Sequence, residues 1–430
     1  MENRQTQPPP LELALARLER LVDWERRARA AMRVSTEPER RLLELLGDPH
    51  RGLRVVHVTG SKGKGSTAAL IAAGLESAGL RAGRYASPHV ERIHERVVID
   101  GAEVADEPLA EGLRRALDAR DELVRRSPEV EPTWFDVVTA AALWIFARAG
   151  VEWLVAEVGL GGRLDSTNVL DGEVCVITNV ELEHTSVLGS TRAAIAREKA
   201  GILKPGCTLV TGVAEDDEAG RVIASAAAAL GVRVLRPVWP VGERIRIVDR
   251  NRALAALALD ELGRRGVRTA AGERLGEQLL DAAAIERARL PGRMERFEVG
   301  GTTVLLDGAH TPVSVSEVLA DLSADATLPG KPMAILGTAR EKDLAGILKA
   351  LVPQVEKVFG TSVGTELHRT SDEIASAARE LGGVVHAATP PRAALELALA
   401  DARRARSWVL VIGSLYLAGS LRSHLRQAAR

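Results

Sequence analysis

Cysteine is nearly absent from this 430-residue chain, which holds only Cys175 and Cys207. Two cysteines exclude a disulfide scaffold and point to a reducing compartment. Long apolar runs are absent too, and none reaches membrane-spanning length. The opening MENRQTQPPP lacks the apolar core of a signal peptide and is expected to be a short disordered lead. The protein therefore reads as cytoplasmic. Net charge is −1, so no field of one sign argues for nucleic acid or membrane as a partner. Lysine is scarce as well. Only residues 62, 64, 199, 204, 331, 342, 349 and 357 are Lys, against 57 Lys and Arg together. A lysine kept in an arginine-rich chain suggests a need for its amine, which singles out Lys64 and Lys199.

What is present is organised around one stretch, Val55-Val56-His57-Val58-Thr59-Gly60-Ser61-Lys62-Gly63-Lys64-Gly65-Ser66-Thr67. An apolar strand runs into a glycine-rich turn, and an alanine-rich helix is expected from about Thr67 to Gly79. Such a loop turns backbone N–H groups and a helix N-terminus toward an anion. Lys64 can reach terminal phosphates, and Ser66 or Thr67 can approach a bound Mg²⁺. The spacing departs from the common P-loop pattern, so an ordinary strand–helix turn stays open at this point.

Around it, strand and helix alternate. Helices are expected over Leu11–Met32, Glu37–Leu46, 106–126, 134–149, Thr191–Ala200, 216–230, 250–264 and around 273–289. Strands are expected at Trp153–Val158, Val174–Thr178, Leu209–Val213 and Val232–Leu235, and Ile93–Asp100 is expected to continue a strand ending near Tyr85. Thr133 is a candidate N-cap. The alternation predicts an α/β fold, an N-terminal doubly wound, mostly parallel sheet. Ser87, Glu157 and His184 then fall on the rim where ligands of such sheets sit. Leu290-Pro291-Gly292-Arg293 marks a boundary, giving domains 1–290 and 291–430. The second is a smaller Rossmann-like α/β unit, with strands at 302–307, 333–337, 355–359, 383–387 and 408–412. His57 and His89 read as structural, and Trp134, Trp144 and Trp153 as core. Standing alone, Lys199 reads as a solvated helix lysine and His184 as a satisfied loop histidine. Glu157 reads equally as a paired or capping acid, and Arg293 as a linker salt-bridge partner.

The ordered set HVTGSKGKGST, SPHVERIHERVVIDG, TWFDVVTAAALWIF, EVGLGGRLDSTNV, LEHTSVLG, EKAGILKPG, LPGRMERF, DGAHTP and GSLYLAG resembles the folylpolyglutamate synthase/dihydrofolate synthase family of Mur-type amide ligases. The resemblance implies an N-terminal ATPase domain and a C-terminal glutamate-ligase domain that closes over it. It implies ATP-driven addition of L-glutamate to a folate or dihydropteroate carboxylate through an acyl phosphate. By resemblance, Gly63, Lys64, Gly65, Ser66, Asn251, Arg293, Asp307 and His310 contact ATP. Ser87, Glu157, His184 and Lys199 hold Mg²⁺ at two sites, with a CO₂-derived carbamate on Lys199. Lys64, Lys199 and His184 are the catalytic candidates. Thr133, Leu164, Asp165 and Ser166 resemble the pterin-side substrate site. The protein is expected to act as a monomer on small molecules.

Three departures stand out. GTNGKGS of the family is GSKGKGS here, with Ser61 and Lys62; DGAHNP is DGAHTP, with Thr311; LDHT is LEHT, with Glu183. Two other readings remain: a Mur-type ligase for a different carboxylate acceptor, supported only by Lys62 and Thr311, and a P-loop phosphotransferase without amide chemistry.

Overall fold

The computed structural model describes all residues except 1–8, 25–34, 241, 243 and 430. The chain forms two compact units, Met1–Ala288 and Arg289–Arg430.

The first unit is built on an eight-stranded sheet. Its strands are β1 (Arg54–Thr59), β2 (Ala82–Tyr85), β3 (Val97–Ile99), β4 (Ala102–Glu103), β5 (Trp153–Glu157), β6 (Gly172–Ile177), β7 (Thr208–Thr211) and β8 (Arg233–Leu235). They are ordered β4-β3-β2-β5-β1-β6-β7-β8. From β2 to β8 the neighbours run parallel; only β3 and β4 pair antiparallel, at one edge. β1, β5 and β6 read as near-continuous apolar runs because helices cover both faces of a parallel sheet. Val137, Ala141 and Phe146 of the helix Trp134–Arg148 pack with Val55, Tyr85 and Leu154 in one core cluster. Ile195, Ile223 and Ala227 pack with Cys175, Ile177 and Leu209 in another.

Four expectations are corrected here. The helix predicted over Leu11–Met32 spans only Pro10–Leu18; Val22 is already non-helical, its carbonyl accepting from Trp134 N at 3.0 Å, and residues 25–32 lie outside the described residues. The helix after the glycine loop begins at Lys64 rather than Thr67, because left-handed Gly63 caps it. Ile93–Asp100 is not one strand. Glu95 accepts backbone N–H bonds from Val90, Glu91 and Arg92, which curls Ile93–Arg96 into a 3₁₀ turn before β3. Between 273 and 289 only Ala282–Arg287 is α-helical, capped by Asp281.

The second unit carries six strands: β9 (Glu295–Val299), β10 (Thr302–Leu306), β11 (Met333–Leu336), β12 (Lys357–Gly360), β13 (Val385–Ala387) and β14 (Val409–Ile412). The order is β13-β12-β11-β14-β10-β9, parallel except for β9 against β10. β9 was not anticipated. It forms a hairpin with β10 through Gly300-Gly301, both at positive φ, as a tight primed turn demands. The closing helix Leu415–Ala428, capped by Ser414, was not anticipated either.

Candidate active site

In the first unit the candidate residues gather at the carboxyl ends of four adjacent strands, β2, β5, β1 and β6. β1 is followed by Gly60, whose φ is +147°; a Cβ there would lie 1.8 Å from Thr178 Oγ1. Thr178 Oγ in turn donates to the Lys62 carbonyl at 2.6 Å. Asn179 Oδ1 accepts from Ser61 N at 3.1 Å and Lys62 N at 2.8 Å. The loop is thus shaped by the residues that follow β6. Thr178 and Asn179 are structural partners that the motif alone does not reveal. The first intrahelical bond runs from Thr67 N to the Gly63 carbonyl, so the N–H groups ahead of it are left for an incoming acceptor. Lys64 Nζ donates to the Gly60 carbonyl at 2.9 Å, which holds the amine over the loop. Asn251, from the helix Ile247–Arg264, presses on the same loop: a Cβ on Gly63 would lie 2.3 Å from Asn251 Oδ1.

Ser87 follows β2 and Glu157 ends β5. Ser87 N donates to Glu157 Oε2 at 3.2 Å, and both side chains are buried. His184 sits past β6 in a left-handed conformation, φ 46° and ψ 39°, heading the short helix Thr185–Leu188.

Lys199 is not solvated. Its side chain is 1 % exposed and its Nζ contacts Glu183 Oε1 at 2.9 Å, with Glu183 9 % exposed. Burial pushes the Lys199 ammonium downward; Glu183 opposes this and Lys64 adds to it. For Glu183, burial works against the ionised form, but Lys199, Lys64, His184 and Lys62 outweigh it and hold the carboxyl well below the ordinary carboxylate range. This one carboxylate thus lies in the field of four basic side chains, with Lys199 in direct contact. Composition had suggested two of them.

The predicted acceptor residues meet through a partner the motif reading passed over. Thr133 caps the helix Trp134–Arg148 as expected, and its backbone N and hydroxyl both donate to Asp136 Oδ2 at 2.8 Å. Ser166 Oγ donates to Asp136 Oδ1 at 2.6 Å. Asp165 is spent on its own loop, accepting from Leu160 N, Thr167 N and the Thr167 hydroxyl. Leu164 lines a small cavity of about 60 Å³ with Leu160, Val187 and Leu188. An acid at N3 of a Thr-capped helix is the available sequence signal for Asp136.

In the second unit, Asp307 follows β10 and accepts from Met294 N at 3.0 Å and Ala309 N at 2.8 Å. The Arg293 guanidinium lies against Gly308, where a Cβ would be 2.6 Å from Nη1. His310 Nδ1–H donates to the Gly308 carbonyl at 2.8 Å, leaving Nε2 as the other ring position. These three form one group around Gly308.

Among the described residues, no three His, Cys, Asp or Glu side chains come together as a metal-binding group. A divalent ion at this rim would thus draw on Glu157, His184 and Ser87 along with phosphate and water oxygens. That mixed, oxygen-rich set suits Mg²⁺, which keeps several waters.

Residues 292–415 match the family model for the Mur ligase glutamate ligase domain. A probable bifunctional folylpolyglutamate synthase/dihydropteroate synthase of Haloferax volcanii is 37 % identical over 92 % of this chain, which spans only 49 % of that protein. The folylpolyglutamate synthase of Lacticaseibacillus casei is 30 % identical, over 89 % of this chain and 92 % of its own. The solved structure of Mycobacterium tuberculosis folylpolyglutamate synthase with ADP superposes with a TM-score of 0.84 at 26 % identity, covering 97 % of this chain and 98 % of that one. The chain belongs to the folylpolyglutamate synthase/dihydrofolate synthase family of Mur-type ligases.

Proposed function

We propose that this chain is an ATP-dependent ligase that adds L-glutamate to a folate-type carboxylate, with dihydropteroate as a further acceptor, through an acyl phosphate. The observation that carries the reading is the buried Lys199–Glu183 contact at 2.9 Å together with Lys64, whose amine is held over the glycine loop by the Gly60 carbonyl. An acceptor carboxylate must approach the γ-phosphate of ATP, and two anions meet only where cations lower the repulsion.

In this reading the loop N–H groups and Lys64 orient the phosphates. Ser87, Glu157 and His184 would hold a Mg²⁺, which when bound would supply charge neutralisation for phosphoryl transfer. The rigid Thr133–Asp136–Ser166 arrangement presents the acceptor side, and fixed geometry lowers the entropic cost of in-line attack. Asn251 belongs to the nucleotide side. Arg293, Asp307 and His310 are the second unit's candidates for nucleotide contact. Lys199 is expected to be carbamylated: burial favours the neutral amine, which adds CO₂ with loss of a proton to solvent, and the carbamate would hold a second Mg²⁺. The Glu183 contact opposes this, so carbamylation requires that contact to break. A monomer in the cytoplasm completes the reading, in keeping with two free thiols.

ADP release tests it. Release should require ATP, Mg²⁺, L-glutamate and a pterin carboxylate together. Release with another carboxylate and none with folates would favour a different acceptor. Release without glutamate would leave a phosphotransferase.

A further inference from the structure

Glu39 lies in the helix Glu37–Leu45, is wholly buried, and has no hydrogen-bond partner at either carboxylate oxygen. Buried carboxyls are ordinarily paired, because an isolated charge in an apolar setting costs several kcal/mol. Among the described residues, no cation compensates this one. Its helix packs on the helices Trp134–Arg148 and Asp106–Arg126 and on the 3₁₀ turn Ser166–Val169. The charged groups acting on Glu39 from these elements are Asp136, and Asp165 just ahead of the turn; Asp106–Arg126 contributes none. Burial holds the Glu39 carboxyl well above the ordinary carboxylate range, and both aspartates add to that.

Those aspartates have their own donors. Asp136 takes Thr133 N, Thr133 Oγ and Ser166 Oγ. Asp165 takes Leu160 N, Thr167 N and Thr167 Oγ. Burial pushes both carboxyls upward, and these donors oppose it by serving the ionised forms. A third negative charge beside them would find no hydrogen bond and two like charges.

We propose that Glu39 is carried as a neutral carboxylic acid and is a positioning residue for the acceptor side of the site. While it keeps its proton, the Thr133–Asp136–Ser166 clamp stays closed; when alkali removes the proton, the clamp opens and acceptor binding weakens. The inference rests on the reading of Thr133 and Ser166 as acceptor-side residues. The sign follows from linkage: the contribution to stability is complete at low pH and is lost as pH rises through the folded-state value.

The test compares wild type with Glu39→Gln, which is neutral at every pH and nearly the same shape. Between about pH 7 and about pH 9.5, the acceptor KM of wild type should rise about threefold or more, while that of Glu39→Gln stays flat. kcat at saturating acceptor should change alike in both. Urea unfolding and the fluorescence of Trp134, next to Thr133, are followed over the same range without substrate. Wild type should lose stability relative to Glu39→Gln. If no folate-type acceptor turns over, the ligase reading fails, and the substrate-free measurements still decide the state of Glu39. Parallel pH profiles in the two proteins overturn the proposal. Should Glu39→Gln fold poorly, Glu39→Leu carries the same expectation.

Discussion

His57 sits in the middle of β1, wholly buried, and offers a prediction whose size follows from its surroundings. Thr167 Oγ donates to Asp165 Oδ1 at 2.6 Å, so toward His57 Nε2, 2.9 Å away, it can only accept. The imidazole is therefore the Nε2–H tautomer, and its Nδ1 has no partner. Protonating Nδ1 would place a charge in the core with nothing to receive it. Burial, with a contribution from Lys204, pushes the imidazole from 6.5 down to about 3. The unfolded chain binds this proton below about pH 6.5 and the folded chain does not, so stability is lost as pH falls from 6.5 toward 3. The full loss is about 5 kcal/mol, and at about pH 4.5 it is about 3 kcal/mol, at about 1.4 kcal/mol per pH unit. His57→Gln keeps an N–H for Thr167 and cannot titrate. At about pH 8 it should be less stable than wild type by about 1–2 kcal/mol, through imperfect packing. At about pH 4.5 the difference should move by about 3 kcal/mol in favour of Gln and change sign. Urea unfolding followed by tryptophan fluorescence measures this, since five of the six tryptophans lie in the first unit. Other acid-labile groups are common to both proteins and cancel in the difference. A gap that is the same at both pH values, or an imidazole that titrates near its ordinary value by NMR, would refute the argument.

Lys64→Ala should abolish ADP release yet shift unfolding by less than about 0.5 kcal/mol, because it removes charge from a loop rather than volume from the core; wild-type rates in a folded Lys64→Ala protein would remove the nucleotide-loop reading. Lys199→Arg keeps the charge but cannot form a carbamate, so it should be impaired about as badly as Lys199→Ala, and short carboxylic acids should partly rescue the alanine variant. A fully active Lys199→Arg would leave the ammonium as the working group. Gly63→Ala should weaken nucleotide binding and cost about 1–2 kcal/mol, since it combines a φ of +78° with a Cβ 2.3 Å from Asn251 Oδ1; calorimetric titration of ATP into the variant checks it.

The buried strands and their order of alternation were legible because a parallel sheet covered on both faces demands apolar runs such as Val55–Val58 and Trp153–Ala156. The rim positions of Ser87, Glu157 and His184 followed from the same pattern. What the pattern could not supply was local. Glu295–Val299 has an exposed, charged face as an antiparallel edge strand, so no apolar run betrays it. Beyond Leu18 the chain leaves the helix, and the Val22 carbonyl accepts from Trp134 N, more than a hundred residues away. At the site, Asp136 and Asn179 act through oxygens that receive backbone or hydroxyl donors, and neither stands in a position that spacing alone marks as chemical. Glu39 was hidden for the opposite reason. In sequence it is one more acid in a charged helix, and only the fold puts it inside.

The departures from the family pattern take on different weights once the local geometry is known. Thr311 caps the helix Pro312–Ser323, its hydroxyl accepting from Ser314 N at 3.3 Å, with Pro312 in the first turn. Asn and Thr are both good N-caps, so this exchange preserves the bend that follows His310 and is weak support for a different acceptor. Ser61 accepts from Glu181 N at 2.9 Å through its hydroxyl, a role threonine fills equally. Lys62 and Glu183 differ in kind. Lys62 is bound to Asn179 through its backbone N–H, so loop shape does not depend on its side chain, and what the exchange adds is charge. Glu183 has one more methylene than aspartate with which to reach buried Lys199. One added cation and one longer acid thus act on the same cluster. Set against the family motifs, the exchanges at 62 and 183 change the charge balance around the buried Lys199–Glu183 pair rather than the shape of the loop.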